Sequence, residues 1–173
     1  MPRISLLLAA PIALSALTST PPAWANLNVH PDLKADLVVV RKSERTLELR
    51  RAGELLHEFR IALGQNPQGH KRKQGDSRTP EGVYELDWRN PESRFYRSVH
   101  VSYPEPRDYE AAQRWGVSPG GDIMIHGLPN GAPAERVGHP RADWTNGCIA
   151  VTNEEIDEIW AHVEDGTTII IFP

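Results

Sequence analysis

One cysteine and one histidine of this 173-residue chain stand where a side chain can react. The histidine closes a short apolar run, Asp122-Ile123-Met124-Ile125-His126-Gly127, and so emerges at the end of an expected strand. Twenty-two residues on comes Thr145-Asn146-Gly147-Cys148-Ile149-Ala150-Val151, where the sole cysteine lies between a polar turn and a strand-like run. An imidazole within reach can take a thiol proton and stabilise the thiolate, which is the usual activation of a sulfur nucleophile. Gly147 leaves the backbone free to aim N–H groups at an oxyanion forming beside the thiol. The same residues also suit a core thiol and a strand-end imidazole with no chemistry at all. Fast alkylation at neutral pH would mark a thiolate; slow alkylation would mark an inert thiol.

Other chemistry-bearing patterns are weaker. Gly116-Val117-Ser118-Pro119-Gly120 matches the G-x-S-x-G of serine hydrolases, but that elbow follows a strand and uses the N–H of the next residue. Here a helix precedes it, and Pro119 has no N–H, so the segment reads as a turn. Seven histidines raise the question of a metal, and His126, His139 and Cys148 could gather around zinc. No HExxH and no i, i+4 histidine pair supports this, so no metal site is expected. His30, His57, His70, His100 and His162 take surface or structural roles by default. No pair of carboxylates stands out as a glycosidase acid and base.

Composition narrows the partners. With 19 Lys and Arg against 23 Asp and Glu, the net charge of −4 gives no electrostatic reason to bind nucleic acid or an anionic membrane. A single cysteine excludes a disulfide framework and a Cys-rich zinc or iron–sulfur site. Residues 1–25 read as a secretory signal peptide: Arg3 is the only charge, residues 4–17 are apolar, and Ala23-Trp24-Ala25 supplies the small-x-small site. Cleavage would leave Asn26 first in a mature chain of 148 residues with net charge −5. A periplasmic or otherwise exported protein, soluble and not integral to the membrane after cleavage, is expected. The apolar run is shorter than the ~20 residues that span a bilayer.

The elements that must position Cys148 and His126 are mostly strands. Residues 36–64 read as antiparallel strands, with Leu37-Val38-Val39-Val40 apolar and a turn at Ala52-Gly53-Glu54. Residues 65–78 hold no aliphatic side chain and form an exposed loop, in which Lys71-Arg72-Lys73 is expected to be solvated. Residues 82–88, 97–103 and 167–172 are further strands. Two helices are expected, over 107–115, ending at Gly116, and over 152–163. The second opens with a Thr152/Glu155 capping box and carries Ile156, Ile159, Trp160 and Val163 on one face. The result is a β-rich α+β domain that fills residues 36–173.

At these residues the sequence resembles the L,D-transpeptidase catalytic domain, the YkuD-type fold of bacterial cell-wall enzymes. That family has a histidine followed by glycine, a spacer, then Ser/Thr-His-Gly-Cys-apolar-polar. This chain has His126-Gly127 and Thr145-Asn146-Gly147-Cys148-Ile149-Ala150, supported by Gly75-Asp76-Ser77-Arg78-Thr79-Pro80-Glu81-Gly82, Ser102-Tyr103-Pro104 and Pro119-Gly120-Gly121. Asn146 and Ala150 depart from the pattern, and Asp-Trp-Thr-x-Gly-Cys-Ile-Ala resembles a branch that includes hydrolases releasing wall-attached proteins.

The resemblance implies a β-sandwich with two short helices. It further implies acyl transfer on peptidoglycan stem peptides, with Cys148 as nucleophile and His126 as proton acceptor and donor. The N–H groups of Gly147 and Cys148 would hold the oxyanion, and the Gly127 carbonyl would orient the imidazole. Tyr103, Trp144, Thr145 and Asn146 would line the substrate cleft. No cofactor is required. The acceptor is an amine in a transpeptidase and water in a carboxypeptidase or amidase, for which a wall-attached lipoprotein is a candidate partner. A non-catalytic wall-binding module is the alternative outside enzymology.

Overall fold

The computed structural model describes residues 33–173. The expected signal segment lies outside them. Eight strands form one sheet: β1 (Leu37–Arg41), β2 (Thr46–Arg51), β3 (Glu54–Arg60), β4 (Gly82–Ser93), β5 (Tyr96–Val101), β6 (Met124–His126), β7 (Ile149–Ala150) and β8 (Thr167–Phe172). Among the described residues, three helices, α1 (Pro106–Arg114), α2 (Ala134–Val137) and α3 (Asn153–His162), accompany the sheet. The strand order is β3-β2-β1-β8-β4-β5-β6-β7. β1–β8 and β6–β7 are the parallel pairs in an otherwise antiparallel sheet. Val38, Val39 and Val40 are all buried because β1 lies between β2 and β8, where an unbroken β-branched run is favoured.

The sheet curls until its ends meet. Beyond β3 the chain continues to Ala62, which exchanges two backbone hydrogen bonds with Ala150 of β7 at 2.9 and 2.8 Å. Three residues on, Gln65 N–H donates to the Thr145 carbonyl, and Thr145 N–H donates to that of Leu63. The two layers expected of a sandwich are therefore opposed parts of one curled sheet. A single apolar cluster fills it, including Val40, Leu49, Leu63, Leu86, Ile125 and Ile149.

The strand-rich expectation with few short helices holds. The Thr152/Glu155 capping box is present, with Glu155 N–H donating to Thr152 Oγ1 at 3.2 Å and Thr152 N–H donating to the Glu155 carboxylate at 2.8 Å. It starts α3 two residues beyond β7, and Ile156 and Ile159 seat the helix in the core. Helix α2, a single turn that ends at left-handed Gly138, was not expected. β4 runs to Ser93, past the expected 88, because it forms one arm of a long hairpin with β5.

Lys71 is a correction. It is 3% exposed, not solvated, and its ammonium donates to the Asp76 carboxylate at 2.9 Å. Asp76 also accepts from the N–H groups of Arg72, Lys73 and Arg78, so one carboxylate organises the whole turn. Those donors hold its pKa below the ordinary value against the opposing effect of burial.

Candidate active site

Parallel pairing of β6 and β7 sets Ile125 beside Ile149 and His126 beside Ala150. Since side chains alternate faces along a strand, Ile125 and Ile149 enter the core while Met124, His126 and Cys148 share the opposite face. There they line one cleft of about 380 Å³ with Asp122, Phe95 and Arg94.

His126 is held on every side. Phe95 lies tilted on its ring with centroids 4.5 Å apart, and Trp144 meets it edge-on at 5.6 Å. Its Nδ1 is 2.7 Å from the Gly127 carbonyl oxygen, which can only accept, so Nδ1 carries the proton and Nε2 is the basic lone pair. Burial lowers its pKa from 6.5 to about 4, against the Gly127 carbonyl, which favours the cation; the nearby His139 lowers it further. The imidazole is neutral at pH 7.

The Cys148 thiol is half-buried and donates to the Asp122 carbonyl at 3.6 Å. Burial pushes its pKa up, the Met124 N–H and the Lys71 charge pull it down, and the Asp122 charge raises it again. The resting pair is thus a thiol and a neutral imidazole. Desolvation disfavours both ions, a condition invisible in residue types, so slow alkylation at neutral pH no longer separates an inert Cys148 from one that His126 deprotonates only during attack.

Three backbone segments converge beneath the cysteine. Gly147 has φ +128°, and a Cβ there would lie 2.6 Å from the Arg78 carbonyl oxygen. At Gly64 a Cβ would lie 2.1 Å from the Ser77 carbonyl oxygen and 2.9 Å from Gly147 Cα. Only glycine permits both approaches. The preceding residues are anchored by Asp143, whose carboxylate accepts from Arg45 Nε at 3.0 Å, from Arg45 Nη2 at 2.7 Å and from Leu63 N–H at 2.9 Å.

The remaining sequence-derived residues divide. Trp144 packs on the imidazole. Thr145 is buried, and its hydroxyl accepts from Gly147 N–H at 3.1 Å while donating to the Cys148 carbonyl at 2.8 Å. It braces the turn rather than facing the cleft. The Gly147 N–H is accordingly occupied, whereas no backbone or side-chain acceptor meets the Cys148 N–H among the described residues. Asn146 is exposed.

Tyr103 does not line the cleft. It is 2% exposed, packs edge-on against Tyr84, and donates its hydroxyl to the Pro119 carbonyl at 3.1 Å. The alternation that buries Val99 and Val101 carries it inward as well. Sequence reasoning missed Phe95, at the tip of the β4–β5 hairpin. Asn130 ties that tip down: its Oδ1 accepts from Tyr96 N–H at 2.9 Å, its Nδ2 donates to the Ser93 carbonyl at 3.0 Å, and its own N–H donates to that of Arg94 at 3.0 Å.

Residues 35–171 match the family YkuD, L,D-transpeptidase catalytic domain. The chain belongs to this family. Among curated relatives, YafK of Escherichia coli (strain K12), itself only provisionally called an L,D-transpeptidase, is 34% identical over 134 residues, covering 73% of this chain and 46% of YafK. The helical cell shape determining protein Pgp2 of Campylobacter jejuni superposes with TM-score 0.60 at 26% identity, over 78% of this chain and 46% of Pgp2. An L,D-transpeptidase fragment from Xylanimonas cellulosilytica shares the fold at TM-score 0.53 and 13% identity, over 81% of this chain and 61% of that one. The chain spans about half the length of YafK and of Pgp2.

Proposed function

We propose that this L,D-transpeptidase family member is a cysteine acyltransferase acting on peptidoglycan stem peptides. The observation that carries the reading is the shared face of β6 and β7, with Cys148 and a tautomer-fixed His126 at one cleft. In the reaction, the thiol hydrogen turns from the Asp122 carbonyl to His126 Nε2 as sulfur attacks the carbonyl of the diamino acid that precedes D-alanine. The tetrahedral oxyanion takes the Cys148 N–H, and the Gly147 N–H once Thr145 Oγ1 releases it. Collapse breaks the C–N bond, the imidazolium returns its proton to the leaving nitrogen, and D-alanine departs from a thioester. An amine or water then attacks the thioester, with His126 as base, and regenerates the thiol.

Wall remodelling is the role proposed for this activity, with an effect on cell shape supported by the likeness to Pgp2, a helical cell shape determining protein. Export through cleavage after Ala25 belongs to the same reading, and no helix of the described residues is long and apolar enough to cross a membrane.

The test is incubation of the purified chain with a defined tetrapeptide muropeptide, with and without an amine acceptor, and chromatographic analysis of the products. Release of D-alanine with a cross-linked or exchanged product marks a transpeptidase, and release with a bare tripeptide marks a hydrolase. No D-alanine release under either condition would overturn the proposal.

A further inference from the structure

On strand β3 and the last turns of α3, three side chains that the acyl-transfer reading does not use come together. His57, Glu158 and His162 each offer one ligand atom, and these atoms all lie within 4.8 Å of one another. None of the three lines the cleft of Cys148 and His126. The two imidazoles pack with centroids 4.7 Å apart at an interplanar angle of 41°, and the outer face of His57 is backed by Phe59.

The hydrogen bonding of the cluster leaves lone pairs where an ion would need them. His162 Nδ1 is 2.8 Å from the Leu33 carbonyl oxygen, so it carries a proton, and in the neutral ring Nε2 is the acceptor. Such a carbonyl behind the distal nitrogen is the arrangement that orients metal-bound histidine. Among the described residues the Nε2 of His57 is buried with no hydrogen-bond partner, a costly condition for a polar atom unless something else binds it. Glu158 Oε2 is 3.5 Å from His162 Nε2, and its side chain, 55% exposed, is free to swing in. The i, i+4 spacing on α3 places Glu158 and His162 on one helical face.

We propose that His57, Glu158 and His162 bind a divalent transition-metal ion of the zinc class. Two neutral imidazoles and one carboxylate are a borderline-soft donor set that suits Zn²⁺ and not Mg²⁺ or Ca²⁺. Metal–ligand bonds of about 2.0–2.2 Å put tetrahedral donors roughly 3.3 Å apart, so the pair at 3.5 Å is almost at that spacing and the widest separation closes by up to about 1.5 Å through side-chain rotation. Three protein ligands leave a fourth position for water or another donor. The ion would clamp the end of α3, the helix that follows directly from Cys148 and β7, against β3.

The experiment is Zn²⁺ binding to the chelator-stripped full chain, by competition with a chromophoric chelator, for wild type, His57→Ala and Glu158→Gln. The expected result is one ion per chain, with affinity weakened at least about tenfold by His57→Ala. Addition of Zn²⁺ should also raise the thermal midpoint of wild type by more than that of the variant. Absence of stoichiometric binding in wild type, or unchanged affinity in His57→Ala, overturns the proposal. If His57→Ala does not fold, Glu158→Gln, altered at an exposed carboxylate, decides by the same two outcomes.

Discussion

Holding His126 neutral in a buried site makes the fold itself sensitive to acid, and the sensitivity has a calculable size. The unfolded imidazole takes a proton near pH 6.5, and the folded one only near pH 4. Between those values the unfolded chain binds the extra proton, so stability falls as pH falls through that window and is fully present above it. At 1.36 kcal/mol per pH unit, the loss from this one residue between pH 8 and pH 4.5 is about 2.5 kcal/mol. His57 and His139, also held below their ordinary pKa by burial, and the carboxylates of Asp76 and Glu48 add losses of the same sign. They remain when His126 is replaced, so the difference isolates it. Urea unfolding of wild type and His126→Asn at pH 8 and pH 4.5 measures this directly, since asparagine can still donate to the Gly127 carbonyl but does not titrate. Wild type should lose about 2.5 kcal/mol more than the variant over that interval. Equal losses in the two proteins would refute the desolvated, neutral imidazole.

Cys148 should alkylate more slowly at pH 7 than a free thiol and accelerate as pH rises past its ordinary pKa, because burial pushes that pKa up; iodoacetamide labelling across pH 6 to 10 reads this. Thr145→Val removes the hydroxyl that braces both Gly147 and Cys148, and should cost about 1–3 kcal/mol in denaturant unfolding together with a fall in the acylation rate. Asn130→Ala frees the hairpin tip that carries Phe95 and should lower kcat/KM at nearly unchanged thermal midpoint, checked by steady-state kinetics beside a melting curve.

What could be read from the sequence was local. The capping box of α3 involves residues three apart, and β8 is an unbroken β-branched run, Thr167 to Ile171, closed by Phe172. His126 and Cys148 were legible as a candidate pair because one ends a strand and the other precedes one, and the register of β6 with β7 puts them on one face. The rest depended on distant partners. Lys71 sits in a run of cations, and only the Asp76 turn explains its burial. Tyr103 looked like a cleft aromatic because nothing in its neighbourhood reveals the Pro119 carbonyl that receives its hydroxyl. Phe95 and the Asn130 clamp are separated by 35 residues and joined only by the fold. The neutral state of the Cys148 thiol and the His126 imidazole is a property of burial, to which residue spacing is blind.

The proposed reaction passes through a thioester on Cys148, which intact-mass analysis of a single turnover detects. Wild type mixed in excess with a stem tetrapeptide that ends in D-alanine, then quenched in acid within the first turnover, should gain the mass of the peptide less D-alanine. Cys148→Ala, whose truncation should cost about 1 kcal/mol or less in stability, should fold and gain nothing. D-Alanine release by folded Cys148→Ala, or release by wild type with no adduct at any time point, would exclude a Cys148 thioester.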